Sequence, residues 1–236
     1  KNQLKPHLKK YWCIREINSL FLARMEQILN LYKESYNEDY PVVCFDERPC
    51  FLIGDTQTGL AMKQGSVAKE HYSYSKHGAC SILGAIEPKT GFRLAHVRER
   101  RTKKEFALFM DQLADSYPKA IKIRVVLDNL NTHHKGAFYE HFGAKRAGEL
   151  ARRFEFHFTP KSSSWLNMME IEYSALARQC LKRRIPDQHE IERQTNLFFK
   201  ERMHKEIKIN WGFDVCNARK KLKRHYLKVN PHYQKI

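Results

Sequence analysis

The sequence predicts a mixed α/β fold, and three features of its pattern carry that expectation. Short apolar runs that end in acids read as buried strands. The turn Pro88-Lys89-Thr90-Gly91 between two strand-like runs marks an antiparallel hairpin. Beyond it, helix-period segments alternate with strands, which implies crossover connections.

Residues 15–33 read as an amphipathic helix, because Ile17, Phe21, Ile28 and Tyr32 recur close to a helical period. Tyr40-Pro41 breaks it. Val42-Val43-Cys44-Phe45 is then a buried strand that ends in Asp46-Glu47. Residues 54–78 carry four glycines among lysines, histidines and tyrosines, and read as an extended basic loop with possible strand pieces. Ala79–Ile86 and Phe92–Val97 form the hairpin. Residues 103–116 make a helix with Phe106, Phe109, Met110 and Leu113 on one face. Ile121–Leu127 is a strand ending at Asp128. A helical stretch covers about 134–153. Phe154, Phe156 and Phe158 alternate in a further strand. After a loop over Thr159–Trp165, Asn167 opens a helix of about 17 residues. Asp187 and Glu190 have capping-box spacing for another helix, and Asp214 caps the last. Residues 41–236 read as one domain. Residues 1–40 read as a linker with one helix.

The charge balance points to a partner. The chain has 43 Lys and Arg against 26 Asp and Glu, a formal net charge of +17. A polyanion accounts for such self-repulsion, because surface cations displace the counterions condensed on phosphates. Basic runs at Lys9-Lys10, Arg98–Lys104, Lys182–Arg184 and Arg219–Arg224 are therefore expected to track a nucleic-acid backbone. None of the six cysteines forms a C-x-x-C pair, and the twelve histidines show no zinc spacing. The cysteine pattern suits a reducing cytosol. Nothing reads as a signal peptide or a bilayer span, so no membrane partner is expected.

Three acids stand where chemistry needs them: Asp46 and Asp128 at strand ends, and Glu170 in the first turn of a helix. Strand ends and a helix start can converge on one crevice. Three carboxylates there repel one another unless a cation neutralises them, and Mg²⁺ takes oxygen ligands of this kind. Each acid also has a plainer explanation. Asp46 fits a solvated strand end, Asp128 an Asx-turn, and Glu170 the return member of an Asn167 capping box. The order of all three along a basic α/β chain favours metal-dependent nucleic-acid chemistry.

The stretches Val42–Pro49, Leu127-Asp128-Asn129-Leu130-Asn131-Thr132-His133 and Thr159–Glu170 resemble the DDE catalytic domain of bacterial insertion-sequence transposases in the mariner-like superfamily. Weaker similarity extends over nearly the whole chain from about residue 10. The resemblance implies a ribonuclease-H-like fold, a five-stranded mixed sheet flanked by helices. It implies Asp46, Asp128 and Glu170 as catalytic residues that hold two Mg²⁺ ions, with Mn²⁺ able to substitute. Asp46 is expected to bridge both ions. Water then frees a 3′-hydroxyl, which attacks double-stranded target DNA at a TA dinucleotide. A homodimeric active complex in the bacterial cytoplasm, associated with the nucleoid, is expected with it. The spacing from Asp128 to Glu170 exceeds the mid-thirties usual in the superfamily, with the extra residues in the helix around 136–153. The helix-turn-helix region that family members usually carry at the N-terminus is not seen in residues 1–40. A non-transposing nuclease or resolvase of the same fold, or a DNA-binding module without chemistry, remains an alternative.

Candidate DNA contacts are Asn131, His133, Lys161, Ser162, Ser163, Arg100, Arg101, Lys103 and Lys63. Asn131 and His133 have a second reading as turn residues or as groups that orient the metal shell. Trp165 is read as packing. Glu172 lies about 200° around the helix from Glu170 and is assigned no metal. Glu47 is expected to face away from Asp46 by strand alternation.

Overall fold

The computed structural model describes residues 17–232. In chain order it contains α1 (Ser19–Lys33), β1 (Val42–Asp55), β2 (Tyr74–Ile86), β3 (Arg93–Arg98) and α2 (Lys103–Asp115). There follow β4 (Ile123–Leu127), α3 (Gly136–His141), α4 (Ala144–Arg153) and β5 (Phe154–Phe158). The C-terminal part holds α5 (Met169–Gln179), α6 (Gln188–His204), α7 (Val215–Lys221) and α8 (Lys223–Val229). The strands form one sheet in the order β3-β2-β1-β4-β5. β1 and β2, and β2 and β3, pair antiparallel, while β4 lies parallel to both β1 and β5. This is the five-stranded mixed sheet expected, with helices on both faces.

Strand alternation divides the core. Val43 and Phe45 of β1 join Val125 and Leu127 of β4 in one cluster, under Phe106 and Phe109 of α2 and Phe138 of α3. Cys44 and Val126 point the other way, into a cluster with Met169, Tyr173 and Leu176 of α5 and Phe198 of α6. Ile28, Leu31 and Tyr32 of α1 belong to that second cluster, so α1 contributes to the core of the body that begins at residue 41. A third cluster joins Met25 and Leu29 of α1 to Ala218 and Tyr226 of α7 and α8.

Several elements differ from their sequence patterns. β1 does not stop at Phe45. It runs on to Asp55 as a ribbon paired with β2, which begins at Tyr74 rather than Ala79. Pro49 is tolerated in this strand because β4 pairs with β1 only from Val42 to Cys44, so the other edge is open there. The ribbon carries an arm, residues 56–73, closed by bridges Leu60–Lys69 and Lys63–Ser66. The stretch 134–153 is two helices, because Phe142 leaves the helical conformation. α5 is shorter than expected and ends before Cys180. The chain then turns so that the Ile185 carbonyl accepts from the Ile53 N–H at 3.0 Å, where the β1–β2 register shifts. The last helix breaks at Leu222 into α7 and α8, with Asp214 capping α7 as expected. Residues 15 and 16 of the first helix, Cys13 and the Lys9-Lys10 run lie outside the described residues.

Candidate active site

Parallel pairing aligns the two aspartates. Cys44 faces Val126 across the β1–β4 ladder, and Asp46 and Asp128 each lie two residues beyond that pair. Both therefore stand at the same level, where the two strands part. The third acid arrives on α5. Gly84 of β2, the cross-strand partner of Asp46, makes room for that helix. A Cβ at Gly84 would stand 2.5 Å from Met169 Cε and 2.7 Å from the Tyr173 hydroxyl oxygen. With no side chain in the way, the Tyr173 hydroxyl reaches the carbonyl oxygens of Asp46 at 2.7 Å and Ile82 at 2.8 Å. Glu170, one turn ahead of Tyr173, is thereby brought to the crevice on an exposed first turn.

Asp46 is held tightly. Its Oδ1 accepts from the Glu47 N–H at 2.8 Å, and Asn167 Nδ2 donates to the Phe45 carbonyl at 2.7 Å and approaches Asp46 Oδ2 at 3.4 Å. Burial pushes its carboxyl up to about 7, and the negative charges of Glu170 and Asp128 push the same way against the Glu47 N–H. Asp46 thus sits within electrostatic reach of both other carboxylates. The oxygen-only chemistry of the three and their mutual repulsion, offset only in part by His133, fit a hard divalent cation. They are not drawn into a closed shell: among the described residues no three His, Cys, Asp or Glu side chains are close enough together to hold a metal.

His133 lies beneath Asp128, with Nδ1 2.6 Å from Asp128 Oδ1 and Nε2 3.2 Å from Glu47 Oε1. Burial by itself would lower its pKa; the hydrogen bonds to Asp128 and Glu47 outweigh burial and raise it to about 9. Glu47 does point to the face opposite Asp46, as alternation requires. Its side chain is 2% exposed.

The capping-box explanation of Glu170 is not what the helix uses. Asn167 Oδ1 accepts from the Met169 N–H at 3.1 Å, and no hydrogen bond returns from the Glu170 carboxylate. Glu172 points away, as its position predicts, but it is a buried acid. It pairs with Arg93 at 2.6 Å and Arg202 at 2.8 Å, joining α5 to β3 and α6.

The expected DNA contacts divide. Asn131, Lys161, Ser162, Arg100 and Lys63 are exposed, Lys63 on the arm beyond β1. His133 and Ser163 are each 1% exposed, so neither reaches a phosphate, which corrects both assignments. The turn after β4 folds His133 inward under the strand ends, and Ser163 is covered by the turn in which Leu166 N–H bonds to its carbonyl. Lys103 pairs with Glu140 at 2.7 Å, and Arg101 leans over Glu47 at 3.9 Å. Within the basic runs, Arg98 pairs with Glu105, Arg183 with Glu190, Arg184 with Asp55 and Arg219 with Glu26. Part of the expected basic surface is therefore internally neutralised. Trp165 is 45% exposed and meets Phe213 edge-on at 5.6 Å, so it packs on one side only.

Asn167, Tyr173 and Glu47 were not singled out as site residues from sequence. The only signals were local: Asn167 three before Glu170, Tyr173 three after it, and Glu47 next to Asp46.

A family model described as DDE superfamily endonuclease matches residues 41–192, from the start of β1 into α6. The comparison with curated proteins gave no match. Among solved structures, the chain is similar to the mariner Mos1 paired end complex with Mg, at 13% identity and a TM-score of 0.54, over 98% of this chain and 68% of the other. It is similar to the Mos1 transposase paired-end complex with left transposon end, at 12% identity and 0.55, over 97% and 67%. It is also similar to the Mos1 strand transfer complex, at 13% identity and 0.55, over 99% and 68%. At such identities the likeness shows the shared fold, the ribonuclease-H-like arrangement of sheet and helices.

Proposed function

This chain belongs to the DDE superfamily endonucleases, and from that premise we propose that it cleaves and rejoins double-stranded DNA as the catalytic part of a transposase. Asp46, Asp128 and Glu170 hold the divalent cations. The observation that carries this reading is the shared level of Asp46 and Asp128 beside a helix start bearing Glu170, with the charges of both neighbours felt at Asp46.

Cations bound there supply charge neutralisation at the attacking and leaving oxygens of a phosphodiester. The chain's own groups do the positioning. Asn167 and the Glu47 N–H fix the Asp46 carboxylate, and Tyr173 fixes its backbone. Glu170, exposed on the first turn, keeps the freedom to close on an ion. Exposed Lys161 and Arg100 offer charge to phosphates near the crevice. No covalent enzyme intermediate is needed, because the catalysis is positioning and charge stabilisation. Two ions, Mg²⁺ with Mn²⁺ as substitute, a TA target, a homodimeric complex and a nucleoid location belong to the same proposal. The Mos1 structures, described with Mg, with Mn, with a transposon end and in strand transfer, support the metal and DNA parts of it.

The test is incubation of the full chain with supercoiled plasmid and a labelled duplex bearing a free 3′-hydroxyl, with Mg²⁺ or Mn²⁺. Nicking plus joined products are expected, and both disappear in Asp46→Asn and Asp128→Asn while DNA retention in a gel is kept. Wild-type-like cleavage by either variant overturns the triad. Nicking with no joined product would instead identify a nuclease that does not transpose.

A further inference from the structure

Glu47 follows Asp46 on β1 but occupies the opposite face of the sheet. There it is the far end of a linear contact. Its Oε1 lies 3.2 Å from His133 Nε2, and the other ring nitrogen lies 2.6 Å from Asp128 Oδ1. The imidazole side chain is fully buried and cannot swing: it stacks on Phe106 at 4.9 Å and meets Phe45 edge-on at 5.3 Å. Arg101 Nε, at 3.9 Å from Glu47 Oε2, closes the outer end. Asp128 itself is 40% exposed; its Oδ1 meets the ring as a close charge contact, and its backbone carbonyl lies 3.3 Å from the same Nδ1. Both its carboxylate and its backbone therefore rest on the buried imidazole.

We propose that Glu47 is a positioning residue that, acting through His133, fixes the Asp128 carboxylate and so sets the divalent-cation affinity of the site. This rests on the reading of Asp128 as a metal ligand. A carboxylate that can rotate must be ordered when it takes a cation, and ordering it in advance removes that cost. A histidine held by a second carboxylate is a common device for orienting a group at a metal site, and loss of such an outer partner lowers metal affinity about 10–100-fold. The burial of a carboxylate, at a cost that only partners can offset, is explained here by the contact it makes. Glu47 is not needed to cap a strand or a helix, since the sheet hydrogen bonds at this position are backbone ones to β2.

The experiment measures Mn²⁺ binding to the full chain by electron paramagnetic resonance, alongside the thermal midpoint, DNA affinity, and cleavage as a function of metal concentration. Glu47→Ala should bind Mn²⁺ about 10–100-fold more weakly, with cleavage recovering at saturating metal and DNA affinity unchanged. Glu47→Gln keeps an oxygen that accepts from His133 Nε2 and should restore most of the affinity. His133→Asn interrupts the same contact from its centre; it should reproduce the loss, and the double variant should add nothing to it. If Glu47→Ala does not fold, the His133→Asn and Glu47→Gln measurements decide alone. Unchanged Mn²⁺ affinity in Glu47→Ala or in His133→Asn, or a double variant whose losses multiply, overturns the proposal. Mn²⁺ binding that is absent from the wild type, or that survives Asp46→Asn, instead overturns the assignment of the triad.

Discussion

Asp46 combines two demands that conflict until a cation arrives. Burial raises its carboxyl to about 7 from an ordinary 3.8, and a group raised in this way is protonated in the folded chain while already ionised in the unfolded one. Without metal, the folded state therefore loses stability as pH rises from about 4 to 7. His133, raised from 6.5 to about 9, adds a loss of the same sign between those values. A divalent cation that needs ionised Asp46 must displace its proton, so below pH 7 each unit of acidification weakens apparent metal affinity by up to about tenfold. Melting curves at pH 6 and pH 8 check this: the midpoint shift on adding Mg²⁺ should be larger at pH 8. Equal shifts at the two values would contradict the placement of Asp46 among the ligands. Glu170 poses a different test. Its carboxylate is exposed and makes no return bond to the helix start, so Glu170→Gln should leave the melting midpoint unchanged and abolish cleavage.

At the level of elements, α5 carries two acids with opposite duties. Glu170 opens it toward the crevice, whereas Glu172 ties its other side to Arg93 and Arg202. Glu172→Ala leaves the fully buried Arg93 without a counter-charge, and removing one partner of a buried pair costs about 3–5 kcal/mol. Urea unfolding of this variant should show that loss, and an unchanged midpoint would mean Arg93 finds another partner. The docking of α5 on β2 depends on Gly84. Adding a methyl group there meets Met169 and the Tyr173 hydroxyl at distances no Cβ tolerates, an overpacking that costs about 1–3 kcal/mol. Gly84→Ala should therefore both destabilise the chain and reduce cleavage, because the helix that carries Glu170 must move. A variant that loses stability but retains full cleavage would show that the α5 position is not set there.

Across the whole molecule, the net charge of +17 is unevenly available. Lys103, Arg183 and Arg184 sit in ion pairs, while Lys161 is exposed next to the crevice and has no acid partner among the described residues. DNA affinity should fall steeply with salt, on the order of 10³–10⁵ between about 50 and 200 mM if six to ten phosphates are engaged. Lys161→Ala should lower the slope of log affinity against log salt by about 0.9, the share of one phosphate contact. Lys103→Ala should leave it unchanged. Fluorescence anisotropy over a salt series reads both, and a flat wild-type series would remove the polyanion as the explanation of the charge.

Local pattern was sufficient for the strands with continuous apolar runs, for the Pro88–Gly91 hairpin, for the caps at Asp187 and Asp214, and for the end positions of Asp128 and Glu170, whereas Asp46, expected at a strand end, lies inside β1. Each of those depends on neighbours in the chain, through side-chain period, turn chemistry or a cap. Residues 46–55 read as no strand, because Asp46, Glu47, Arg48 and Pro49 interrupt the apolar run. They are a strand only because β2 supplies a ladder across from them. The burial of Glu47 and His133 was likewise invisible, since it follows from where the turn after β4 folds back against Phe106. The acid at 172 looked spare because its partners, Arg93 and Arg202, stand 79 and 30 residues away. What the chain's own order determines is where apolar runs, turns and caps fall, and with them the order of the acids along the chain. Which of those acids meet, and which charges are left unpaired where they meet, is decided by packing across the two faces of the sheet, because burial and pairing energies arise between segments remote in sequence.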